Sequence, residues 1–316
     1  MSRPVTRAGL WGLSLLLAGC GGGLDRQEVP SDPIAYLRQD ARGLSGVDQF
    51  IDGLTLLGRK QSGLGSRLQV QVALLVVSTG ESSRVLETES GAYPLDWSHD
   101  GLRLLIGRLE ESRSGLRLYS WNRLTGALER TNPGFTAGVA AFGRGPIRLA
   151  YVLHAGRNDF DVLVETDLEG EVHLPGTDGA VEPDVAADGT TIVFARPHPR
   201  PGREALIFLS SLSGGEPIQI ARGSNPRFSR DGKWIVYASR RRGNSDIWLM
   251  RANGTGKREI AASSFEEEFP AVSRNGRYVV YGCSRGEDTS QLYLTRVRDL
   301  YEVQLTVSNQ SGRPVW

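Results

Sequence analysis

The sequence predicts an all-β fold: a six-bladed β-propeller of four-stranded antiparallel blades, preceded by a short N-terminal tether or helix. Three observations carry this reading. Turn glycines recur at positions 53, 101, 145, 189, 232 and 276, with spacings of 48, 44, 44, 43 and 44 residues, and one four-stranded blade takes roughly 40–45. A second strand–turn–strand half follows each turn, at 73–87, 116–131, 160–174, 205–221, 246–260 and 291–306. Composition is that of a soluble globular chain, with 39% hydrophobic and 23% charged residues. A net charge of +1 gives no global field to attract nucleic acid.

Taken in order, the chain opens on an export signal over residues 1–19. Arg3 and Arg7 form a positive flank and residues 10–17 a short apolar core, too short for a spanning helix of about 20 residues. The tetrad Leu17-Ala18-Gly19-Cys20 resembles the lipobox of bacterial lipoproteins. That resemblance implies cleavage before Cys20, acylation of its thiol and amine, and attachment to the membrane through the lipid. Gly21 in place of Asp implies the outer membrane, on the enterobacterial sorting pattern. Cys283 is the remaining cysteine, so a lipidated Cys20 leaves no disulfide and the core must supply the stability.

Residues 20–46 read as the lipidated cysteine and a polar tether. Ser31 or Asp32 before Pro33 looks like a helix start, and residues 34–42 are expected to form a short helix ending at Gly43, docked through Ile34 and Leu37. The propeller is expected over residues 47–316.

Its best-formed unit is residues 224–260. Asp231-Gly232 and Asn253-Gly254 are tight turns. Between them, Trp234, Ile235, Val236 and Tyr237 are β-branched or aromatic, as a packed strand requires. The same turn is Asp100-Gly101, Asp188-Gly189 and Asn275-Gly276 in other blades, is degraded to Arg144-Gly145 in one, and is matched early by Asp52-Gly53. The C-terminal Arg313-Pro314-Val315-Trp316 begins a blade and stops. A propeller left open exposes two sheet edges, so Val315 and Trp316 are expected to supply the inner strand of a first blade drawn otherwise from residues 53–87. Residues 47–50 compete for that place.

The string Pro226-Arg227-Phe228-Ser229-Arg230-Asp231-Gly232, followed by a β-run and Asp246-Ile247-Trp248-Leu249-Met250, resembles the TolB-type propeller repeat. The match is close over 225–260, good over 93–130, 182–220 and 269–305, and poor over 140–174 and 47–87. The resemblance implies a six-bladed ring in the cell envelope used for protein binding. The additional α/β domain of TolB has no counterpart in the roughly 25 residues between Cys20 and the repeats, which argues against a role as the Tol–Pal component.

No catalytic chemistry is expected. Gly282-Cys283-Ser284-Arg285-Gly286 matches the serine-hydrolase string, but that motif needs a strand-to-helix elbow with a following His, and no His follows Ser284. Gly254-Thr255-Gly256-Lys257 lacks the remainder of a phosphate loop. His99, His154, His173 and His198 fall at unlike repeat positions, with only His154 and His198 in corresponding loops, so neither a metal nor a cofactor is expected.

Loops between the second and third strands of each blade share one face with the blade-to-blade connections, and loops on a rigid scaffold carry function. Arg196, Arg200, Arg203, Arg240, Arg241 and Arg242 concentrate there. Arginine is enriched at interface hot spots, and these six are the expected binding residues for an envelope protein partner. Glu266, Glu267 and Glu268, placed in a connection on the same face, could instead neutralise the 240–242 run. The alternative function is carbohydrate or peptidoglycan binding, or lyase chemistry on the same fold, which would need aromatics and acids gathered on the loop face. Trp97, Trp234 and Trp248 instead occupy strand positions.

Overall fold

The computed structural model describes residues 29–39, 70–79, 81–86, 92–109, 115–145, 147–154, 160–167, 169–285, 290–307 and 310–316. They form six four-stranded sheets. Blade two is β4 (Ala92–Trp97), β5 (Arg103–Leu109), β6 (Leu116–Asn122) and β7 (Leu128–Thr136). Blade three is β8 (Ala141–Phe142), β9 (Ile147–His154), β10 (Phe160–Thr166) and β11 (Gly170–His173). Blade four is β12 (Val181–Val185), β13 (Thr191–Arg196), β14 (Leu206–Ser211) and β15 (Ile218–Arg222). Blade five is β16 (Ser224–Phe228), β17 (Trp234–Ser239), β18 (Asp246–Arg251) and β19 (Arg258–Ala261), and blade six is β20 (Glu266–Val272), β21 (Tyr278–Ser284), β22 (Ser290–Arg296) and β23 (Glu302–Gln304).

Blade one is composite. Its strand order is β24 (Gln310–Val315), β1 (Ile34–Gln39), β2 (Val70–Val76), β3 (Glu81–Leu86). The C-terminus therefore supplies the inner strand, as the terminal Pro-Val-Trp implied. The first strands of all blades touch in the sequence β24, β4, β8, β12, β16, β20 and back to β24, which closes the ring.

The expected helix at 34–42 is corrected: residues 34–39 are strand β1, pairing antiparallel with β2 on one side (Tyr36 opposite Ala73) and β24 on the other (Ala35 opposite Val315), and residues 40–42 lie outside the described residues. Backbone groups there are satisfied by two neighbouring strands, and Ile34, Ala35 and Tyr36 are all buried, so local cap chemistry is overridden by tertiary pairing. The expectation that the rest of blade one comes from residues 53–87 is corrected with it, since its second strand is β1. Gly53 lies between β1 and β2, outside the described residues, whereas the inner turn of blade one is replaced by the meeting of the two chain ends. Residues 47–50 also lie outside the described residues.

Each neighbouring pair of blades encloses its own apolar cluster. Tyr93, Leu105 and Tyr151 lie between blades two and three, and Val152, Val162 and Phe194 between three and four. Val193, Ile235 and Tyr237 fill the next interface, Val236, Val279 and Tyr281 the one after. Tyr36, Leu75 and Tyr278 join six to one, and Leu104, Ile106 and Val315 join one to two. Both faces of every blade are covered, which is why the strands read as continuous apolar runs and not as alternation.

The Ser-x-Asp/Asn-Gly turns have one mechanism. In blade five, Ser229 Oγ donates to Asp231 Oδ1 (2.6 Å) and accepts the Trp234 N–H (3.0 Å), while Gly232 N–H closes the turn on Ser229 O (2.8 Å). Gly232 has φ 70°, a conformation that glycine adopts without steric cost. Ser98 and Asp100, and Ser273 and Asn275, repeat the arrangement at 2.6 and 2.8 Å. These turns lie on the face opposite the long loops.

Candidate functional site

The predicted basic residues divide into three groups. Arg240 is engaged by the acids placed opposite it: its guanidinium lies 3.0 Å from Glu266 and 3.4 Å from Glu268, and its N–H donates to Glu204 at 2.5 Å. Arg242 pairs with Glu259 at 3.3 Å, and the Arg241 guanidinium stacks 5.1 Å from the Trp248 ring centroid. Arg196 lies over Phe194 and Phe208, 5.7 and 4.7 Å from their centroids, and donates to Gly176 O. Arg200 and Arg203 are exposed on the Pro-rich segment between β13 and β14, where the Arg200 N–H is held by His198 Nδ1 at 3.0 Å. The 240–242 run is thus knitted into blades five and six, and Arg200 and Arg203 are presented.

Glu266, Glu267 and Glu268 open the inner strand β20, opposite Ser284, Cys283 and Gly282, and are not in a connection as expected. They begin the strand at its loop-face end, so the expected neutralisation of Arg240 holds. Glu267 is fully buried. It accepts from Ser263 Oγ, and burial, with Asp246 nearby, pushes its carboxyl up to about 6.

The apparent hydrolase string falls in β21 and the loop after it. Cys283 is buried, its thiol pushed up by burial to about 11, and Ser284 pairs in register with Glu266 and Ser290. This is strand geometry, not an elbow. Among the described residues no group of three or more His, Cys, Asp or Glu side chains is placed to hold a metal ion. Trp97 is 5% exposed, and Trp234 and Trp248 pack against the blade-interface clusters, so they form no aromatic funnel.

Sequence reasoning missed the central channel. Inner strands bulge at the residue before proline: the pairing Glu268–Gly282 is followed by Ala271–Val280, and the same extra residue occurs in β12, β16 and β24. Glu182, Asn225, Phe269 and Arg313 hold φ of 56°, 50°, 54° and 47° there, and such bulges re-aim the side chains around them. At the loop-face end, Glu182 accepts from the Asn225 N–H and Nδ2 at 2.6 and 2.7 Å, and the Arg313 guanidinium covers the Phe269 ring at 4.0 Å.

Deeper in, the residue just after the bulge sets the channel charge. Asp96 accepts the N–H groups of Trp97 and Phe142, both at 2.8 Å, and Asp184 accepts that of Phe228 at 2.6 Å. Each carboxylate thereby fastens one inner strand to the next. Arg227, from the following blade, lies 3.8 Å from Asp184 and donates to Leu95 O at 3.3 Å across the ring. Burial, then the neighbouring Asp184, pushes Asp96 up to about 6. At the turn-face mouth, Arg144 donates to Arg230 O at 3.1 Å, Arg230 donates to Ser98 O, and Arg274 lies 3.9 Å from Asp32. Burial and these arginines hold His99 below its ordinary value. The signal for this collar was in the sequence: His99, Arg230 and Arg274 each precede the Asp-Gly or Asn-Gly of their turn, and Arg144 stands in place of the Asp in its own.

With this geometry in view, comparison with solved structures decides the fold relationship. TolB from Acinetobacter baumannii superposes with a TM-score of 0.69 at 16% identity, over 91% of this chain and 68% of that one. The chain has the TolB-type propeller fold. A TolB-like protein from Agrobacterium tumefaciens matches at TM-score 0.65 and 18% identity, over 77% of this chain and 90% of its own. The tricorn protease shares the ring at TM-score 0.56 and 15% identity, over 87% of this chain but 26% of the protease. No family model matches the sequence. The uncharacterised Agrobacterium fabrum protein Atu1656 is 37% identical over 79 residues, which are 24% of this chain and 27% of that protein.

Proposed function

We propose that this chain is a lipid-anchored cell-envelope propeller that docks another protein through its loop face and performs no chemistry itself. The observation that carries the reading is the contrast within the basic loops: the 240–242 run is paired internally, while Arg200 and Arg203 stand exposed on a segment stiffened by Pro197, Pro199 and Pro201. A stiff loop loses little entropy on binding, and exposed arginines steer association with an acidic surface. The TolB-type fold and the tetrad ending at Cys20 support an envelope setting, on the periplasmic side of the outer membrane. The tryptophans packed into the blades favour a protein over a saccharide ligand.

The test is recovery of envelope proteins on the lipidated wild-type chain and on Arg200→Ser/Arg203→Ser, at low and physiological salt. Exposed charges are screened beyond about 8 Å at physiological ionic strength, so the wild type should lose partner as salt rises and the double variant should recover less at low salt. Equal recovery by both proteins at both salt levels would remove the loop from the binding face.

A further inference from the structure

Exposed apolar side chains are sorted to one face of the ring. Among the described residues, Leu102, Leu124, Ile218, Leu300 and Tyr301 stand 36–76% exposed, and all five lie in or beside the short turns opposite the long loops. Only Phe265 and Val307, of the large apolar residues exposed to this degree, lie on the loop face. Leu124 sits between β6 and β7, Ile218 opens β15, and Leu300 and Tyr301 sit between β22 and β23. These are the outer turns of blades two, four and six, alternate blades of the ring. A lone exposed apolar residue needs no explanation, but three tips spaced round one face define a plane.

One tip is held against its own backbone preference. The outer turns of blades two and six share one hydrogen-bond pattern. Gly126 N–H donates to Asn122 O and Asn122 N–H to Ala127 O, while Leu300 N–H donates to Arg296 O and Arg296 N–H to Tyr301 O. Leu300 thus takes the place of Gly126, with φ 59° against 72°. That left-handed region strains a leucine and not a glycine. Half of the Leu300 surface is exposed, so packing within the chain does not account for the residue. Strain kept at an exposed site points to a use for the side chain outside the fold.

The chain also enters the propeller across this face. Strand β1 runs antiparallel to β24 and so starts at its turn-face end. Just ahead of it, Val29 is buried with Val77 and Tyr278, and Asp32 O accepts the Trp316 indole N–H at 3.0 Å. Cys20 lies nine residues before Val29, a span of at most about 30 Å. An acyl group on Cys20 therefore keeps the turn face close to the bilayer.

We propose that the turn face rests on a lipid surface, with Leu124, Ile218 and Leu300 entering the headgroup boundary and Tyr301 beside them. The proposal rests on the lipid-anchored reading for its tether, and it turns the docking loops away from the membrane. Apolar side chains on a polar surface partition into that boundary, and tyrosine is at home there. Arg103 and Arg123, exposed beside Leu102 and Leu124, can reach lipid phosphates while their stems stay with the apolar tips. The turn carboxylates Asp100, Asp188 and Asp231 are engaged by N–H groups of their own turns. Without the acyl group such tips bind weakly and reversibly, so an unlipidated chain is lost on washing but partitions at equilibrium.

The experiment places the whole mature protein on vesicles of phosphatidylethanolamine and phosphatidylglycerol in equal parts. The acylated chain, its N-terminus verified by mass spectrometry, carries an environment-sensitive dye on Leu124→Cys or Ile218→Cys, or on Val307→Cys as the loop-face control. Cys283 is buried and does not compete for the dye. The turn-face dyes should shift to the blue and be quenched by brominated lipid, and the Val307 dye should do neither. Lipid titration of Cys20→Ala at equilibrium isolates the tips from the anchor. Adding Leu124→Ser and Leu300→Gly should lower partitioning about tenfold, whereas Val307→Ser should leave it unchanged. Leu300→Gly alone should raise the melting temperature by relieving the left-handed strain, as a leucine needed by the fold would not. A wild type found unacylated defeats the anchor and not the face, which the Cys20→Ala titration still decides. Turn-face dyes that stay in water on the acylated chain would leave the tips to a protein partner and overturn the proposal. So would a Cys20→Ala chain that does not partition, partitioning untouched by loss of both leucines, or a melting temperature lowered by Leu300→Gly.

Discussion

The carboxylate of Asp184 in blade four accepts the backbone N–H of Phe228 in blade five at 2.6 Å. The same carboxylate faces Arg227 at 3.8 Å, so a single side chain ties two inner strands and offsets a cation set in the channel. Asp184→Ala strands both partners, and breaking a buried pair from one side costs about 3–5 kcal/mol. Urea denaturation should show a loss of that size. Asp184→Ala/Arg227→Met should recover part of it, and a double variant no better than the single one would mean the pair contributes little.

Removing residues 313–316 takes Val315 from the interface between blades one and two, and Trp316 from the cluster between six and one. It also breaks the Trp316 Nε1 bond to Asp32 O at 3.0 Å. Loss of an aromatic anchor alone costs about 3–5 kcal/mol. The truncated chain should melt well below wild type by circular dichroism, and an unchanged melting temperature would show that the ring does not depend on this strand.

Glu267 makes stability depend on pH. Its folded pKa is raised from 4.5 to about 6 by burial and by Asp246, so the folded state holds the proton more tightly than the unfolded one. The stabilisation is fully present below pH 4.5 and is lost as pH rises through 6. Glu267→Gln should flatten that decline and gain about 1–2 kcal/mol above pH 7. Asp96 is raised for the same reason and contributes a similar slope, so the comparison is between variant and wild type across pH 4–8. Parallel curves would contradict the assignment to Glu267.

Cys20→Ala should release the protein from the membrane fraction or block its processing. Fractionation of the variant with membranes as completely as wild type would rule out the lipid anchor.

The ring was legible in the sequence because its turns are local devices. Ser229, Asp231 and Gly232 fold a turn by themselves, and their copies fix the period. The first blade was not legible for the opposite reason. Ile34, Ala35 and Tyr36 follow a Ser-Asp-Pro start that suits a helix, and only strands β2 and β24, distant in sequence, make them a strand. Gly53 matched the turn pattern at a spacing of 48 where later copies keep 43 or 44, and that discrepancy was the available warning. The channel was hidden because no single repeat contains it. Its charges come from short turns and inner strands, where Arg144, Arg230 and Arg274 are each one residue in a different repeat. Their adjacency exists only once the ring has closed.

That closure has a kinetic side. Leu37 pairs with Gly312 and Ala35 with Val315, so a strand made at the start waits for one made at the end. Blades two to six assemble from neighbours in sequence, whereas blade one requires a contact at the far extreme of sequence separation, and such contacts form late and slowly. In a chain made from its N-terminus, β1 can pair with β2 early, but its other hydrogen-bonding edge, the one that faces β24, stays uncovered until residues 310–315 are made. Blade one is therefore the sheet whose last edge is covered latest.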